Sequence, residues 1–256
     1  MQQNKNGFPV VTKGSRSFRV VAWNMDYWKR SKEKRAIAWE YLLKNLNPDI
    51  ALLQEAKAPD EIIDKFHTIA HPLTHKKRWG NVLVSKHRIR QEIHMHNYYY
   101  GSKSLIVAEI RVNPKIVLTA ICVYGAIDGR RYATTTMHHV LSDITYLLWQ
   151  KRRHIVLGGD LNVDIQWDQE HPGEWPAHEL VFERMRNLGL IDCTNGPVRT
   201  QVHENSDVPW QNDYIFVNKR LKGSVLTCKV IEDSNLLELS NHYPIVLDLD
   251  GNFPKK

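Results

Sequence analysis

Five short stretches place acid, amide and imidazole side chains at the ends of apolar runs. "VVAWNMD" ends in Asn24 and Asp26, "IALLQE" in Gln54 and Glu55, and "IVLGGDLN" in Asp160 and Asn162. "QNDYIFV" begins with Asp213, and "SNHYPIV" begins with Asn241 and His242. Apolar, β-branched runs of this length read as strands. If the last two strands run antiparallel to the first three, all five clusters meet on one rim. Carboxylates crowded in this way repel, and one or more is driven toward protonation. A hard divalent cation removes the conflict: Mg²⁺ takes oxygen ligands, usually one or two carboxylates with waters and substrate phosphate oxygens. Asp160 and Asn162, two apart, point the same way and can serve one site. Gly158 and Gly159 allow the backbone to be approached closely there.

The elements that must carry these groups follow from the hydrophobic pattern. Strands are expected at 18–23, 49–54, 81–85, 104–112, 115–124, 154–159, 213–218, 224–231 and 243–249. Helices are expected at 31–46, opened by Ser31 and stopped near Asn47-Pro48, and at 59–69, 132–153 and 177–189. Short connections between the middle strands favour antiparallel pairing. Strands outnumber helices, and hairpins mix with crossovers. The expectation is one mixed α/β domain over 18–250, two packed sheets covered by helices, with a flexible tail at 1–17 and a short tail at 251–256.

Composition narrows the class. The chain of 256 residues is 42% hydrophobic and 25% charged, enough for a sizeable core. No apolar run approaches the roughly 20 residues that span a bilayer, and the N-terminal stretch has no apolar signal-like region. Cys122, Cys193 and Cys228 are far apart and form no CxxC pair, so a reducing, cytoplasmic setting is expected. The net charge of +7 favours a polyanionic partner. His67 and His71 stand four apart, a spacing that could bind zinc on a possible helix, but no third zinc ligand completes the pattern. No P-loop, GxSxG or dinucleotide-binding glycine fingerprint is present.

In chain order, "WNMD", "LLQEAK", "VYG", "GGDLN", "NDYIFV" and "SNHYPIV" resemble the motifs of the endonuclease/exonuclease/phosphatase superfamily, which holds the exonuclease III-like abasic endonucleases and the DNase I-like nucleases. The resemblance covers nearly the whole chain. It implies a four-layer α/β/β/α sandwich with two mixed, largely antiparallel sheets, and a phosphodiesterase site that uses Mg²⁺, with Mn²⁺ as a substitute. On that reading Glu55 is the principal metal ligand, with Asn24 and Asp26 beside it. Asp160 and Asn162 hold and polarise the attacking water, Tyr124 touches the scissile phosphate, and Asp213 orients His242 for proton transfer. The family's usual Ser-Asp-His triplet is Ser-Asn-His here, so Asn241 brings a carbonyl oxygen near the metal but no charge.

Substrate choice in such a family lives in the loops. Trp210, three residues before Asp213, occupies the position where abasic endonucleases border a flipped-out sugar. Arg130 and Arg131 in "DGRRY" supply phosphate contacts, and "HNYYYGSK" (96–103) adds aromatics. "VYG" and "QND" depart from the abasic-endonuclease pattern. The expectation is therefore a nuclease on DNA, or less readily RNA, with no membrane and no obligate protein partner. The alternatives are a phosphatase on a small or lipid phosphoester and a nucleic-acid-binding module with a weakened metal site.

Overall fold

The computed structural model describes residues 3–73, 78–95, 104–127 and 132–253. Arg130, Arg131 and the aromatic stretch 96–103 lie outside the described residues. Twelve strands and five α-helices are formed among the described residues. In chain order they are β1 (Ser17–Asn24), α1 (Lys32–Tyr41), β2 (Ile50–Ala56), α2 (Asp60–Lys65), β3 (His67–Pro72), β4 (Gly80–Ser85), β5 (Ile89–Glu92) and β6 (Leu105–Asn113). There follow β7 (Ile116–Tyr124), α3 (Thr134–Leu148), β8 (His154–Asp160), α4 (Ile165–Glu170), α5 (Ala177–Asn187), β9 (Leu190–Asp192), β10 (Asp213–Asn218), β11 (Val225–Val230) and β12 (Ile245–Asp250).

Two six-stranded sheets result, in the orders β11-β12-β1-β2-β4-β3 and β5-β6-β7-β8-β10-β9. Each is built around one parallel pair, β1/β2 and β7/β8, flanked by antiparallel neighbours. A parallel pair needs a crossover, and α1 and α3 supply the two. The sheets pack face to face over Val20, Ile50, Leu118 and Ile215, among others. The outer face of the first sheet is covered by α1 and a π-helical turn at Leu42–Leu46, with Trp39 and Leu42 buried on Trp23 and Leu53. The outer face of the second is covered by α3 and α5 through Met137, Ile144 and Phe182. This is the expected helix–sheet–sheet–helix order. Ser31 caps α1, accepting a hydrogen bond from the Lys34 N–H at 3.3 Å.

Some expected elements differ. The helix expected over 59–69 ends at Lys65, and His67–Pro72 form β3, paired along its length with β4. The β-branched pair Thr68-Ile69 and an open edge on β4 outweigh helical continuation. His67 and His71 therefore stand on a strand, and His71 Nε2 lies 2.6 Å from Glu92. The helix expected over 132–153 stops at Leu148. The short elements β5, β9 and α4 carry no periodic signal long enough to read. All three cysteines are free, and Cys122 sits in the core between the sheets. No helix among the described residues is long and apolar enough to cross a membrane.

The edge of the first sheet farthest from the motif residues is tied by one buried cation. Arg19 is fully buried. Its Nε and Nη2 donate to the two Asp248 oxygens at 2.8 Å each, and its other donors reach the carbonyls of Val11, Thr12 and Leu46 at 2.8–2.9 Å. It thereby fixes the segment before β1, whose Phe8 is buried among the α1 residues. Beside it, burial alone would raise the Asp49 carboxyl. His87, Lys13 and the Arg19 N–H, which donates at 2.7 Å, instead hold it down at about 2. A lowered carboxylate stabilises the fold above its ordinary value of 3.8 and loses that contribution as pH falls through about 2, a total of about 2 kcal/mol.

Arg19→Met should cost about 3–5 kcal/mol in urea unfolding, because Asp248 is left without its partner, and Arg19→Lys should not rescue it. Asp49→Asn should remove about 2 kcal/mol of the stability lost between pH 4 and 2. An unchanged acid unfolding profile in that variant would contradict the assignment.

Candidate active site

The strand directions bring all five sequence clusters to one rim. β1, β2, β7 and β8 deliver Asn24, Glu55, Tyr124 and Asp160 near their C-terminal ends, while β10 and the turn before β12 deliver Asp213 and His242 near their N-terminal ends. At this rim, three hydrogen bonds between motif residues join the sheets. Asn24 Nδ2 donates to Asp160 Oδ2 at 2.8 Å, Tyr124 OH donates to Glu55 Oε1 at 2.9 Å, and His242 Nδ1 meets Asp213 Oδ2 at 2.7 Å.

Local backbone aims these groups. Asp26, Glu55 and Asn162 all have left-handed backbone, with φ of 45°, 45° and 48°. For a Glu in particular this conformation is costly, and it persists only where surrounding structure enforces it. At Glu55 the β2–β4 register slips between Leu53 and Ala56, a bulge that turns the carboxylate out toward the rim. Gly159 lets Gln54 of the facing sheet lie against β8; a Cβ there would sit 2.6 Å from Gln54 Nε2. Ser240 explains the first residue of the Ser-Asn-His turn. Its hydroxyl donates to the Asn24 carbonyl at 2.7 Å and accepts the His242 N–H at 3.0 Å. Trp23 Nε1 donates to the His242 carbonyl at 2.9 Å, so β1 holds the turn from both sides. Asn241 is half-buried, and its carbonyl accepts the Val202 N–H at 2.9 Å.

The electrostatics are those of a crowded anionic site. Asp160 and Asp213 lie directly opposite each other in the β8–β10 register, and both are buried. Burial and the Asp213 charge push the Asp160 carboxyl up, against the bonds from Asn24 and the charge of His242. Burial also raises Asp26, opposed by Arg30, whose Nη2 lies 2.8 Å from it. Burial opposes charge on His242, yet the Asp213 carboxylate, with Asp160 and Glu55 behind it, lifts the imidazole to about 9. A raised imidazole contributes stability in full below its ordinary 6.5 and loses it as pH rises through about 9. With Nδ1 committed to Asp213, Nε2 is the atom available to a substrate.

The donor set fits a hard divalent cation. It is almost wholly oxygen, one oxygen of Asp160, Asp213 and His242's nitrogen lie within 4.8 Å of one another, and Asp213 Oδ1 is buried with no hydrogen-bond partner. The Glu55 carboxylate, bonded by Tyr124 and by Trp28 Nε1, borders the same charge cluster.

A cavity of about 190 Å³ adjoins this rim through Asn162. Trp210 lines it, with Tyr132 from the "DGRRY" stretch and with Trp167 and His178, which the sequence did not single out. Tyr132 meets Trp167 edge-on at 4.4 Å, and Trp210 stands 6.1 Å from Trp167. The Asp164 N–H donates to His178 Nδ1 at 3.1 Å, which leaves the imidazole proton on Nε2. That nitrogen is buried and has no partner, and burial keeps the ring neutral by lowering its affinity for a second proton. Asp164 also accepts the N–H groups of Gln166 and Gln211, at 2.9 and 2.7 Å, so one carboxylate ties the loop after β8 to the approach to β10. Tyr132, the Asp164–His178 segment and Trp210 come from three parts of the chain, and α4, α5 and the loops beside them bring the three together.

This sandwich and its rim define a class. Residues 21–232 match the model of the Endonuclease/Exonuclease/phosphatase family, and the chain belongs to that family. No curated protein sequence matches it. Its fold is similar to that of an AP endonuclease from Archaeoglobus fulgidus, with 18% identity over 91% of this chain and 99% of that one and a TM-score of 0.70. It is also similar to a 3′-5′ exonuclease from Neisseria meningitidis, with 18% identity over 91% and 100% and a TM-score of 0.71. The endonuclease domain of the telomere-specific retrotransposon TRAS1 matches at 17% identity over 91% and 98%, with a TM-score of 0.62. At these identities the likeness is one of fold.

With metal chelated, NMR titration of the His242 imidazole should give a pKa well above 6.5, and Asp213→Asn should bring it to 6.5 or below. An unshifted value in that variant would contradict the pairing.

Proposed function

We propose that this chain is a divalent-metal-dependent phosphodiesterase that hydrolyses nucleic acid, DNA in preference to RNA. The observation that carries the reading is the cross-sheet cluster of Asp160, Asp213 and His242, bordered by the Glu55–Tyr124 bond. It supplies an acceptor and a proton carrier within one buried rim, with the Glu55 carboxylate at its border. Glu55, Asn24, Asp26 and Asn241 would hold Mg²⁺, or Mn²⁺ in its place. Bound there, the cation would offset charge developing on the phosphate.

The chain's own groups divide the remaining work. Asp160, held by Asn24 and Asn162, has the raised proton affinity of a base and would orient the attacking water. His242 Nε2 would contact the phosphate and hand over a proton, while Asp213 fixes the ring's orientation. Tyr124, kept protonated by burial and the Glu55 charge, would donate to a phosphate oxygen. Arg130 and Arg131 would meet flanking phosphates. Trp210, Tyr132 and Trp167 would take the sugar or base beside the cleaved bond, and the His178 Nε2–H would donate to it. The nuclease names of the similar structures support nucleic acid as the substrate class. With Asn241 in place of a carboxylate, the cation would be held more weakly.

Cleavage of an end-labelled duplex carrying one abasic analogue, at low salt with Mg²⁺ or Mn²⁺, tests the reading. The wild-type chain should cut, and His242→Ala should cut about 10²–10⁴-fold more slowly. Asn241→Asp should lower the metal concentration needed for half-maximal rate. Trp210→Ala should raise KM about tenfold or more with a smaller effect on kcat. Absence of cleavage on duplex, single-stranded DNA and RNA alike, with turnover of a small phosphoester, would replace nuclease with phosphatase.

A further inference from the structure

At the rim opposite the active site, the helix layer over the second sheet runs out. Leu105 and Val107 of β6 pack under the helices. Farther along the same strand and on the same face, alternation places Glu109 and Arg111, beyond the end of α3 at Leu148. With Arg90, Lys115, Arg152 and Arg153 they line a groove of about 1160 Å³. Its charge is one-sided. Glu109 is the one carboxylate among the lining residues, and it is taken: Arg153 Nη1 lies 2.6 Å from it and Arg90 Nη1 3.8 Å. Arg111, Lys115 and Arg152 are exposed and have no carboxylate partner among the described residues. Like charges around a concave surface repel unless an anion joins them.

The groove is separate from the catalytic rim. β7 runs from Ile116, in the groove, to Tyr124, in the active site. At about 3.3 Å per residue that separation is roughly 25 Å. The groove is larger than the ~300–1,000 Å³ of ordinary small-molecule pockets, which favours a polymer over a lone anion. Its walls are guanidinium forks and the amides of Asn113 and Asn252, suited to phosphate oxygens. Its large hydrophobics, Ile116 and Phe253, are anchored in the core between the sheets, and the exposed charged heads of Arg111, Lys115 and Arg152 are what an incoming ligand meets first.

We propose that this groove is a second, non-catalytic docking site for the phosphate backbone of a single nucleic-acid strand. A strand seated there is held away from the cleaved bond, so the site adds affinity for long strands without touching the chemistry.

The test is fluorescence anisotropy of a labelled 30-nucleotide oligothymidylate in chelator, comparing wild type with the Arg111→Gln, Lys115→Gln, Arg152→Gln triple variant. The variant should bind about tenfold more weakly at low salt. Its plot of log K against log salt should be shallower by about 2, the slope expected for three lost phosphate contacts on a single strand. Its melting temperature and its hydrolysis of bis(4-nitrophenyl) phosphate should match the wild type. Equal affinity and equal slope would overturn the proposal, as would loss of small-substrate hydrolysis in parallel with binding. Tighter, groove-dependent binding of a labelled polyglutamate peptide would overturn it in favour of an acidic protein partner. Binding is read without metal, so the result stands apart from whether the chain cleaves nucleic acid.

Discussion

The facing pair of Asp160 and Asp213 is the interaction on which the rest of the rim depends. Two buried carboxylates placed opposite each other across an antiparallel ladder cannot both ionise without help. The help comes from the other sheet: His242 brings positive charge to Asp213, and Asn24 brings an N–H to Asp160. The conflict thus ties the two sheets together. It also raises the Asp160 carboxyl toward neutral pH, holds His242 protonated there, and leaves Asp213 Oδ1 without a hydrogen-bond partner.

The sandwich holds this arrangement by over-determining it. The parallel pair in each sheet points its C-terminal ends at the same rim, so four of the six contributing segments arrive together. Left-handed backbone at Asp26, Glu55 and Asn162 turns side chains outward that regular strands would send into a face. Trp23 and Ser240 hold the His242 turn from the end of β1. At the far end, Arg19 uses all its donors to close the sheet. Backbone strain and crowded carboxylates sit at one end, and the fully satisfied Arg19 at the other.

Much of this was legible from the chain because the motifs end long apolar runs. "FRVVAW", "IALLQ" and "HIVLGG" lie in strands β1, β2 and β8, and their polar ends meet as the pattern implies. β3 escaped because its half-exposed "HTIAHP" carries no alternation strong enough to displace a helix begun by Pro59. Arg19, a lone charge in an otherwise apolar strand, was a signal of a buried partner that could have been read. His178, Trp167 and Asp164 gave no such signal. Their proximity is made by the packing of α4 against α5 and by the Asp164 bonds to His178 and Gln211, and α4 is too short to show a periodic signal. Arg130 and Arg131 lie outside the described residues, so their expected phosphate contacts rest on sequence alone.

Whether this rim is a divalent-cation site is best measured directly, by calorimetric titration of Mn²⁺ into the metal-free chain and into Glu55→Gln and Asp160→Asn variants. Saturable binding to the wild type, weakened at least tenfold in Glu55→Gln, is the expected result. No binding to the wild type, or binding that both variants leave unchanged, would contradict it.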